Sequence, residues 1–437
     1  MIINIGPQHP STHGVLRLIV LLNNELINWL NIEIGLLHRG SEKLIKLNYY
    51  YSSLLYFDRF DYVSVISQEL LFIYSLERLF NSISSIYTSI IRILLVELYR
   101  ILNHCLAITT HAIDIGLFTS MLWLFEERDK IYNLLESITG SRFHLAYLYI
   151  NRLRFSISLF FIESLFLFLL TFIRRLIELY LLLSISSIWI KRLFEIGIIP
   201  LKTNLFFGFS GLLARSSNLL LDGRLYNYDS YSFINFNTFL SLNSDCLDRY
   251  ILRFNEMYNS IYFIYNSFIS LFSLSLGSLG SFGLSGSLSS LSLSSLSLSL
   301  SSRAIINSYS FSSMENTIYS FLFNFSLFNS SSLWSPNLSS ISSSFHCFIE
   351  SSKGLYALFI SSFPFYVVNI IASDFLTINQ LNKFCKNINI ADLIAILGSV
   401  DFVLGSVDLL SFSFYIIYFF YFIYIINIQW FLLVLDI

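Results

Sequence analysis

Charged residues are scarce in this 437-residue chain, at 12% of the sequence against 55% hydrophobic residues. That is about half the charged share of an ordinary soluble domain. So few charged residues cannot cover the surface of a soluble chain of this size. Much of that surface is therefore expected to contact a membrane or other subunits. The net charge of -2 offers no clustered basic face, which excludes nucleic acid as a partner.

Paired cysteines are also missing. The chain has four cysteines, Cys105, Cys246, Cys347 and Cys385, and no two of them form a C-x-x-C motif. A zinc, iron–sulfur or dithiol site built from such pairs is therefore not expected in this chain. We predict four buried thiols.

Long uninterrupted apolar runs are nearly absent. In residues 156–189 the apolar pattern is broken by Glu163, Arg174, Arg175 and Glu178, which predicts buried helices rather than membrane spans. The exception is residues 412–435, an uncharged run long enough to cross a bilayer. Its tyrosines recur every three residues, which favours a helix packed against partners or lying at the interface, with a true span as the alternative.

Periodicity divides the rest of the chain. Residues 1–62 contain apolar alternation such as VLRLIVLL at 15–22, followed by turn residues, and predict strand, turn and strand in a β-rich region. Residues 63–136 repeat apolar residues at three and four positions and predict helices with a polar face. The Ser/Leu/Gly stretch at 271–302 has no charge and predicts a surface insert, disordered or loosely extended.

Four short segments carry candidate chemistry. GPQHPSTHG at 6–14 holds His9 and His13 on a turn-rich stretch, and that spacing alone is weak evidence for a metal site. YFDRFDY at 56–62 groups Asp58, Arg59 and Asp61 with Tyr62, which by itself indicates a salt-bridge network.

The other two segments lie further along. THAIDIG at 110–116 places His111 and Asp114 three apart on a helix, close enough to interact across one turn. SRFHLAY at 141–147 contains His144 on a mostly apolar stretch, where a buried core histidine is the ordinary interpretation. Each segment taken alone is therefore structural.

Their order changes this interpretation. The chain resembles the family of subunit 7 of mitochondrial NADH dehydrogenase, the quinone-site subunit of respiratory complex I. The resemblance covers most of residues 4–408 and is densest before residue 150. It is carried by these segments: GPQHPSTHGVLRL, GLLHRGSEKLI, YFDRFDYVS, ELYRILNH, HAIDIG, FEERDK, GSRFHLAY, GFSG, DCLDRY, SME, ESSKG and ADLIAILGSVDFVLGSVD.

This resemblance implies an α+β fold, mostly α, with a small N-terminal β region followed by a helical bundle. The family is related to the large subunit of nickel–iron hydrogenases, but the C-x-x-C pairs that hold the metals there are missing, so no nickel site can be built. The expected organisation follows the chain: 1–62 β-rich with quinone-site loops, 63–266 helical core, 267–312 low-complexity insert, 313–410 C-terminal part of the hydrogenase-like fold and 411–437 apolar tail.

The resemblance also assigns roles to residues. It places His13 and Tyr62 at the quinone headgroup, with His9 beside them, and makes Asp114 the carboxylate partner of the histidine. It sets Arg59 and His144 next to the terminal iron–sulfur cluster, where they would tune its potential.

The expected setting follows from the same source. This chain would bind no metal or cofactor of its own, ubiquinone would be its substrate, and a neighbouring subunit would hold the 4Fe–4S cluster. Its partners would be other complex I subunits, including the membrane-arm subunit at the quinone entrance, on the matrix side of the mitochondrial inner membrane. An integral membrane transporter and a scaffold that lacks turnover are the alternatives.

Overall fold

The computed structural model describes residues 1–6, 16–48, 50–226, 228–234, 236–280, 344–361 and 367–408. His9, His13, most of the predicted insert and the whole apolar tail from 412 to 435 lie outside these residues. In the described part, no helix is both long and apolar enough to cross a membrane.

A three-stranded antiparallel sheet opens the fold. It consists of β1 (Ile2–Ile5), β2 (Arg17–Asn23) and β3 (Leu26–Glu33), in that order. Leu18, Val20 and Leu22 alternate into the core, and Asn24 makes the turn with a φ of 58°. The predicted strand, turn and strand are confirmed.

Two short helices follow within the region expected to be β-rich. They are α1 (Ser41–Leu47) and α2 (Tyr50–Phe57), so the prediction is wrong for these residues. The reason is packing, because each short helix buries side chains in the core: Ile45 on α1, and Leu54 and Phe57 on α2.

Long helices form the core, as predicted. They are α3 (Val65–Leu79), α4 (Ile86–Ile115), α5 (Phe118–Thr139), α6 (Leu159–Ile185) and α10 (Cys246–Gly280). Helix α4 lies at the centre and packs against α3, α5 and α10. Its N-terminus is capped by the Ser85 hydroxyl, which accepts from the Thr88 N–H, and Gly116 ends it in the left-handed conformation.

Helix α6 is not buried on all sides. Phe161, Leu165 and Phe172 pack inward, but Phe160 is 70% and Leu167 62% exposed. The prediction of a buried helix is wrong for this outer face, because apolar composition alone does not say which side of a helix the rest of the chain covers.

Shorter elements connect this core to a second sheet. They are β4 (Leu148–Tyr149), β5 (Arg152–Leu153), α7 (Ser187–Leu193), α8 (Leu201–Phe207), α9 (Gly211–Ser216) and the 3-10 turns Gly223–Tyr226 and Asp229–Phe233.

The C-terminal part contains an antiparallel sheet in the order β6, β7, β8, which packs on α3. Four short helices follow it. The bounds are β6 (Ser344–Ser351), β7 (Gly354–Ser361), β8 (Val367–Ile371), α11 (Ser373–Asn379), α12 (Leu381–Phe384), α13 (Ile390–Val400) and α14 (Leu404–Val407).

These elements make an α+β fold that is mostly α, as expected. One prediction fails at the end of α10, where residues 271–280 continue the helix instead of starting a disordered or extended insert. Adding turns to an existing helix needs no new nucleation, and leucine is a good helix former.

Candidate functional site

The loop after α2 is fixed by one carboxylate. Oδ1 of the buried Asp61 accepts from the N–H groups of Val63 and Ser64, each at 3.3 Å, so the chain curls around this side chain. The same oxygen accepts from Nζ of Lys353 at 3.0 Å. The loop is therefore held both by its own backbone and by a distant part of the chain.

Lys353 lies in the turn between β6 and β7, and its ammonium is buried. Burial alone would lower the pKa of Lys353, but the carboxylates of Asp61, Asp401 and Asp374 outweigh it and raise that pKa above its usual value. The ammonium therefore stays charged and ties the C-terminal sheet to the loop.

Tyr62 follows Asp61 directly and is half-buried. Burial raises the pKa of Tyr62 to about 12; the nearby ammonium of Lys353 opposes this rise, and the carboxylates of Asp61 and Asp401 add to it. The phenol keeps its proton at neutral pH and is available as an O–H donor.

Two glycines bring the C-terminal helices close to this region. A Cβ on Gly405 would lie 2.5 Å from the carbonyl oxygen of Phe60, so α14 needs glycine to pack on the loop. A Cβ on Gly398 of α13 would lie 3.0 Å from both Oδ2 of Asp114 and Cδ2 of His111. Asp114, at the end of α4, is thereby placed against α13.

The segment after Gly398 connects Asp114 to the loop. Asp401 ends α13 in the left-handed conformation, with a φ of 55°, and its Oδ2 is 3.4 Å from Nη1 of Arg253 on α10. Gly398 thus packs against Asp114, and three residues later the Asp401 carboxylate is near enough to raise the pKa of Tyr62.

His111 is not a proton donor here. Burial, together with the guanidinium groups of Arg253 and Arg249, lowers the pKa of His111 to about 3. The ring is therefore neutral at physiological pH and packs 5.1 Å from that of Trp189. The interpretation of His111 as structural holds, whereas Asp114 is half-buried and faces the region around Gly398.

Arg59 and His144 come together on the surface. The Nδ1–H of His144 donates to the carbonyl oxygen of Asp58 at 3.2 Å, which brings the ring beside the residue that precedes Arg59. Both Arg59 and His144 are exposed. His144 is thus not a buried core histidine, and both side chains can meet another subunit.

The comparisons with known proteins agree with one another. The family model for the respiratory-chain NADH dehydrogenase 49 kDa subunit matches residues 114–409. The chain belongs to this family. The NADH-ubiquinone oxidoreductase 49 kDa subunit of Acanthamoeba castellanii is 36% identical, covering 93% of this chain and 95% of that protein.

Two further relatives extend the range of organisms. The NADH dehydrogenase [ubiquinone] iron-sulfur protein 2 of Nephroselmis olivacea is 35% identical, covering 93% of this chain and 96% of its own length. One of the NADH-quinone oxidoreductase subunits of Orientia tsutsugamushi is 33% identical with the same coverage. The resemblance found from the sequence motifs is confirmed.

This member of the 49 kDa family also buries a group of charged side chains. Nη1 of Arg215 is 2.9 Å from Oε1 of Glu350, and its Nε donates to Oε1 of Glu256 at 3.0 Å. Oε2 of Glu256 is 2.9 Å from Nε2 of His104. We call the whole set the interior charge network. Its members are Glu97, Arg100, His104, Arg215, Asp222, Arg224, Glu256 and Glu350, all of them buried.

Sequence reasoning missed part of the site in this 49 kDa family member. Lys353, Asp401 and Arg253 had no assigned role, although Asp401 stands out as a charge in a mostly apolar segment. The predicted residues Arg59, Tyr62, Asp114 and His144 all lie around the loop and its neighbours, whereas His9 and His13 are outside the described residues.

The four cysteines are buried free thiols, as predicted. Among the residues that the structure describes, no three His, Cys, Asp or Glu side chains are grouped so as to hold a metal ion. What the site offers is a protonated phenol, a carboxylate, an exposed guanidinium and an exposed imidazole. Such groups donate hydrogen bonds, hold protons and interact with a charged partner.

Proposed function

We propose that this chain forms the quinone-reduction site of NADH:ubiquinone oxidoreductase, together with the neighbouring subunit that carries the terminal 4Fe–4S cluster. The relatives are subunits of NADH-ubiquinone or NADH-quinone oxidoreductase, which supports an oxidoreductase complex as the setting. The observation that carries the proposal is the Tyr62 phenol, kept protonated beside the Lys353–Asp61 pair.

Reducing a quinone to a quinol takes two electrons and two protons, and the protons go to the two carbonyl oxygens. Tyr62 donates its O–H to one carbonyl as negative charge develops there. The ammonium of Lys353, whose charge lowers the pKa of Tyr62, stabilises the tyrosinate left when that proton moves. Burial makes the phenol a poor acid in the resting state, so the proton leaves only when the quinone oxygen has become basic.

The second donor in this proposal is His13, with His9 beside it. Their role rests on the family resemblance. An imidazole titrates near neutral pH and can hand over a proton there. Asp114 is the carboxylate that partners this histidine, so loss of the proton from His13 would change the charge at Asp114. Asp114 itself is held against Gly398 of α13.

Arg59 and His144 are assigned to the neighbouring subunit's cluster. A fixed cation and a titratable ring near a cluster favour its reduced form and make its potential depend on pH. Their exposure on one surface supports this role.

The same proposal covers location and coupling. The chain would bind no metal or cofactor itself and would take ubiquinone as substrate. It would sit in the matrix-side arm at the mitochondrial inner membrane, next to the membrane-arm subunit at the quinone entrance, and its turnover would be coupled to proton translocation. Few charges and an exposed apolar face on α6 support a chain covered by other subunits.

Tyr62→Phe tests the proposal, because it removes one O–H and almost no volume. We expect normal assembly and quinone reduction lowered by about 10² to 10³, the usual cost of losing one positioned donor. The matched control is Tyr74→Phe, which removes the hydroxyl of another half-buried tyrosine, one that accepts from Arg78 on α3. Unchanged quinone turnover in assembled Tyr62→Phe complex would refute the assignment and favour a scaffold role.

A further inference from the structure

Two carboxyl groups lie together behind His144. Asp58 is the first residue after α2, and Glu69 is in the second turn of α3. Both side chains are completely buried. Carboxylates are rarely buried without a cation, and neither of these two forms an ion pair with a lysine or arginine in the part of the chain described here.

Backbone groups satisfy one oxygen of each carboxyl. Oε2 of Glu69 accepts from the N–H groups of Tyr147 and Leu148 at 2.9 and 3.0 Å. Oδ2 of Asp58 accepts from the N–H of Ala146 at 3.2 Å. The loop that carries His144 is therefore fastened to both carboxyls.

Each carboxyl has a second oxygen without such a partner. Oδ1 of Asp58 and Oε1 of Glu69 are buried and receive no hydrogen bond from an N–H or hydroxyl group of the described residues. The two side chains are close enough to share a hydrogen bond. Ionised carboxylates only accept hydrogen bonds, so such a bond requires a proton on one of them.

The surroundings favour the same result. His144 and Arg59 act on Asp58 from the surface side, and Tyr99 of α4 lies behind both carboxyls, next to Tyr132 of α5. Burial raises the pKa of Glu69 well above its usual value, and the charge of Asp58 raises it further. Burial also raises the pKa of Asp58. Two adjacent buried carboxyls with no paired cation cannot both ionise at neutral pH.

We propose that Asp58 and Glu69 share one proton at neutral pH and form a second proton-holding site directly behind His144. The pair carries one negative charge, and it positions His144 through the Asp58 carbonyl and the loop amides. The role of His144 at the cluster rests on the proposed function, whereas the shared proton does not.

Infrared difference spectroscopy of the intact complex tests the shared proton. We expect the wild type to show a carbonyl stretch of a protonated carboxyl that shifts in deuterated water. Asp58→Asn and Glu69→Gln each keep the shape, the contact and one negative charge but need no proton, so the band should vanish in both. Glu136→Gln is the control, because it removes an exposed carboxylate that pairs with Arg142 in the same region.

A band that persists in either single variant, or is absent from the wild type, overturns the shared proton. The Tyr62→Phe result decides the proposed function separately, because that variant leaves both carboxyl groups in place.

Discussion

The interior charge network and the loop at residues 58–64 use charge in opposite ways. In the network, Arg215 is enclosed by the carboxylates of Glu256, Glu350 and Asp222, and all of these groups are buried. At the loop, Tyr62 is half-buried and Arg59 is exposed. The network holds the helices together around α4, whereas the loop presents polar groups to whatever binds outside the chain.

The difference shows that a chain with few charged residues uses some of them to stabilise its interior and others to contact molecules at its surface. Charges in the interior compensate one another, so removing one leaves its partners buried and uncompensated. Charges and donors near the surface are held by backbone contacts from behind, so changing one alters chemistry more than folding. This contrast predicts which substitutions harm assembly and which harm turnover.

The largest effect should come from Arg215→Met, which leaves three carboxylates without their shared cation. We expect a loss of about 3 to 5 kcal/mol and little or no assembled complex. The measurement is the amount of intact complex recovered and its unfolding on heating. Arg174→Met is the control, because this side chain is 85% exposed and pairs only at the surface, with Glu178. Normal assembly of Arg215→Met would mean that the network does not hold the core together.

Gly398→Ala should have the next largest effect, with a smaller loss of stability. The added methyl group would lie 3.0 Å from Asp114 and from His111, and such overpacking costs about 1 to 3 kcal/mol. We expect assembled complex with quinone reduction lowered about tenfold, because Asp114 is displaced. Ala391→Gly is the control: it weakens the same helix by about 1 kcal/mol at an exposed position. Equal turnover in the two variants would separate Asp114 from the chemistry.

Asp229→Asn should have the smallest effect. The Asp229 side chain is a buried charge that its neighbouring cation does not fully compensate. Burial is the main cause that raises the pKa of Asp229 to about 7; the guanidinium of Arg92 opposes the rise and the carboxylate of Glu77 adds to it. The folded chain therefore binds more protons than the unfolded chain between about pH 4 and 7, so this group lowers stability as pH rises through that window.

Asparagine does not titrate, and it tolerates the φ of 53° at this position. We expect the variant to be more stable than the wild type at pH 8, by roughly 2 °C in the unfolding temperature, with the advantage disappearing toward pH 4. Thermal unfolding of the complex across this range is the measurement. An advantage that does not change with pH would assign the effect to backbone conformation instead.

The sequence predicted most of the regular structure, because periodicity records which face of an element is buried. It located the β2–β3 hairpin through alternation and α3 to α5 through helical spacing. Periodicity did not predict α1 and α2, which are too short to show a clear period. It also did not show that α10 continues into the Ser/Leu segment. Nor did it show that the outer face of α6, although apolar, is left uncovered by this chain.

The site was predictable only through motif order. No single segment identified Tyr62 or Asp114, and the contact that fixes the loop joins Asp61 and Lys353, which are 292 positions apart in the sequence. Proximity of that kind depends on the whole fold. The shared carboxyl pair of Asp58 and Glu69 has the same origin, because the spacing of two acidic residues does not show that both lose contact with water.

Photolabelling tests the central claim, that this chain lines the quinone site, most directly. A ubiquinone analogue with a photoreactive headgroup would be bound to the intact complex, irradiated and mapped by peptide analysis. We expect label on residues 58–64 and on the segment around 398–401, removed by excess unlabelled ubiquinone and retained in the Tyr74→Phe control. Competable label that lies only on other subunits, with none on these two segments, would contradict the account.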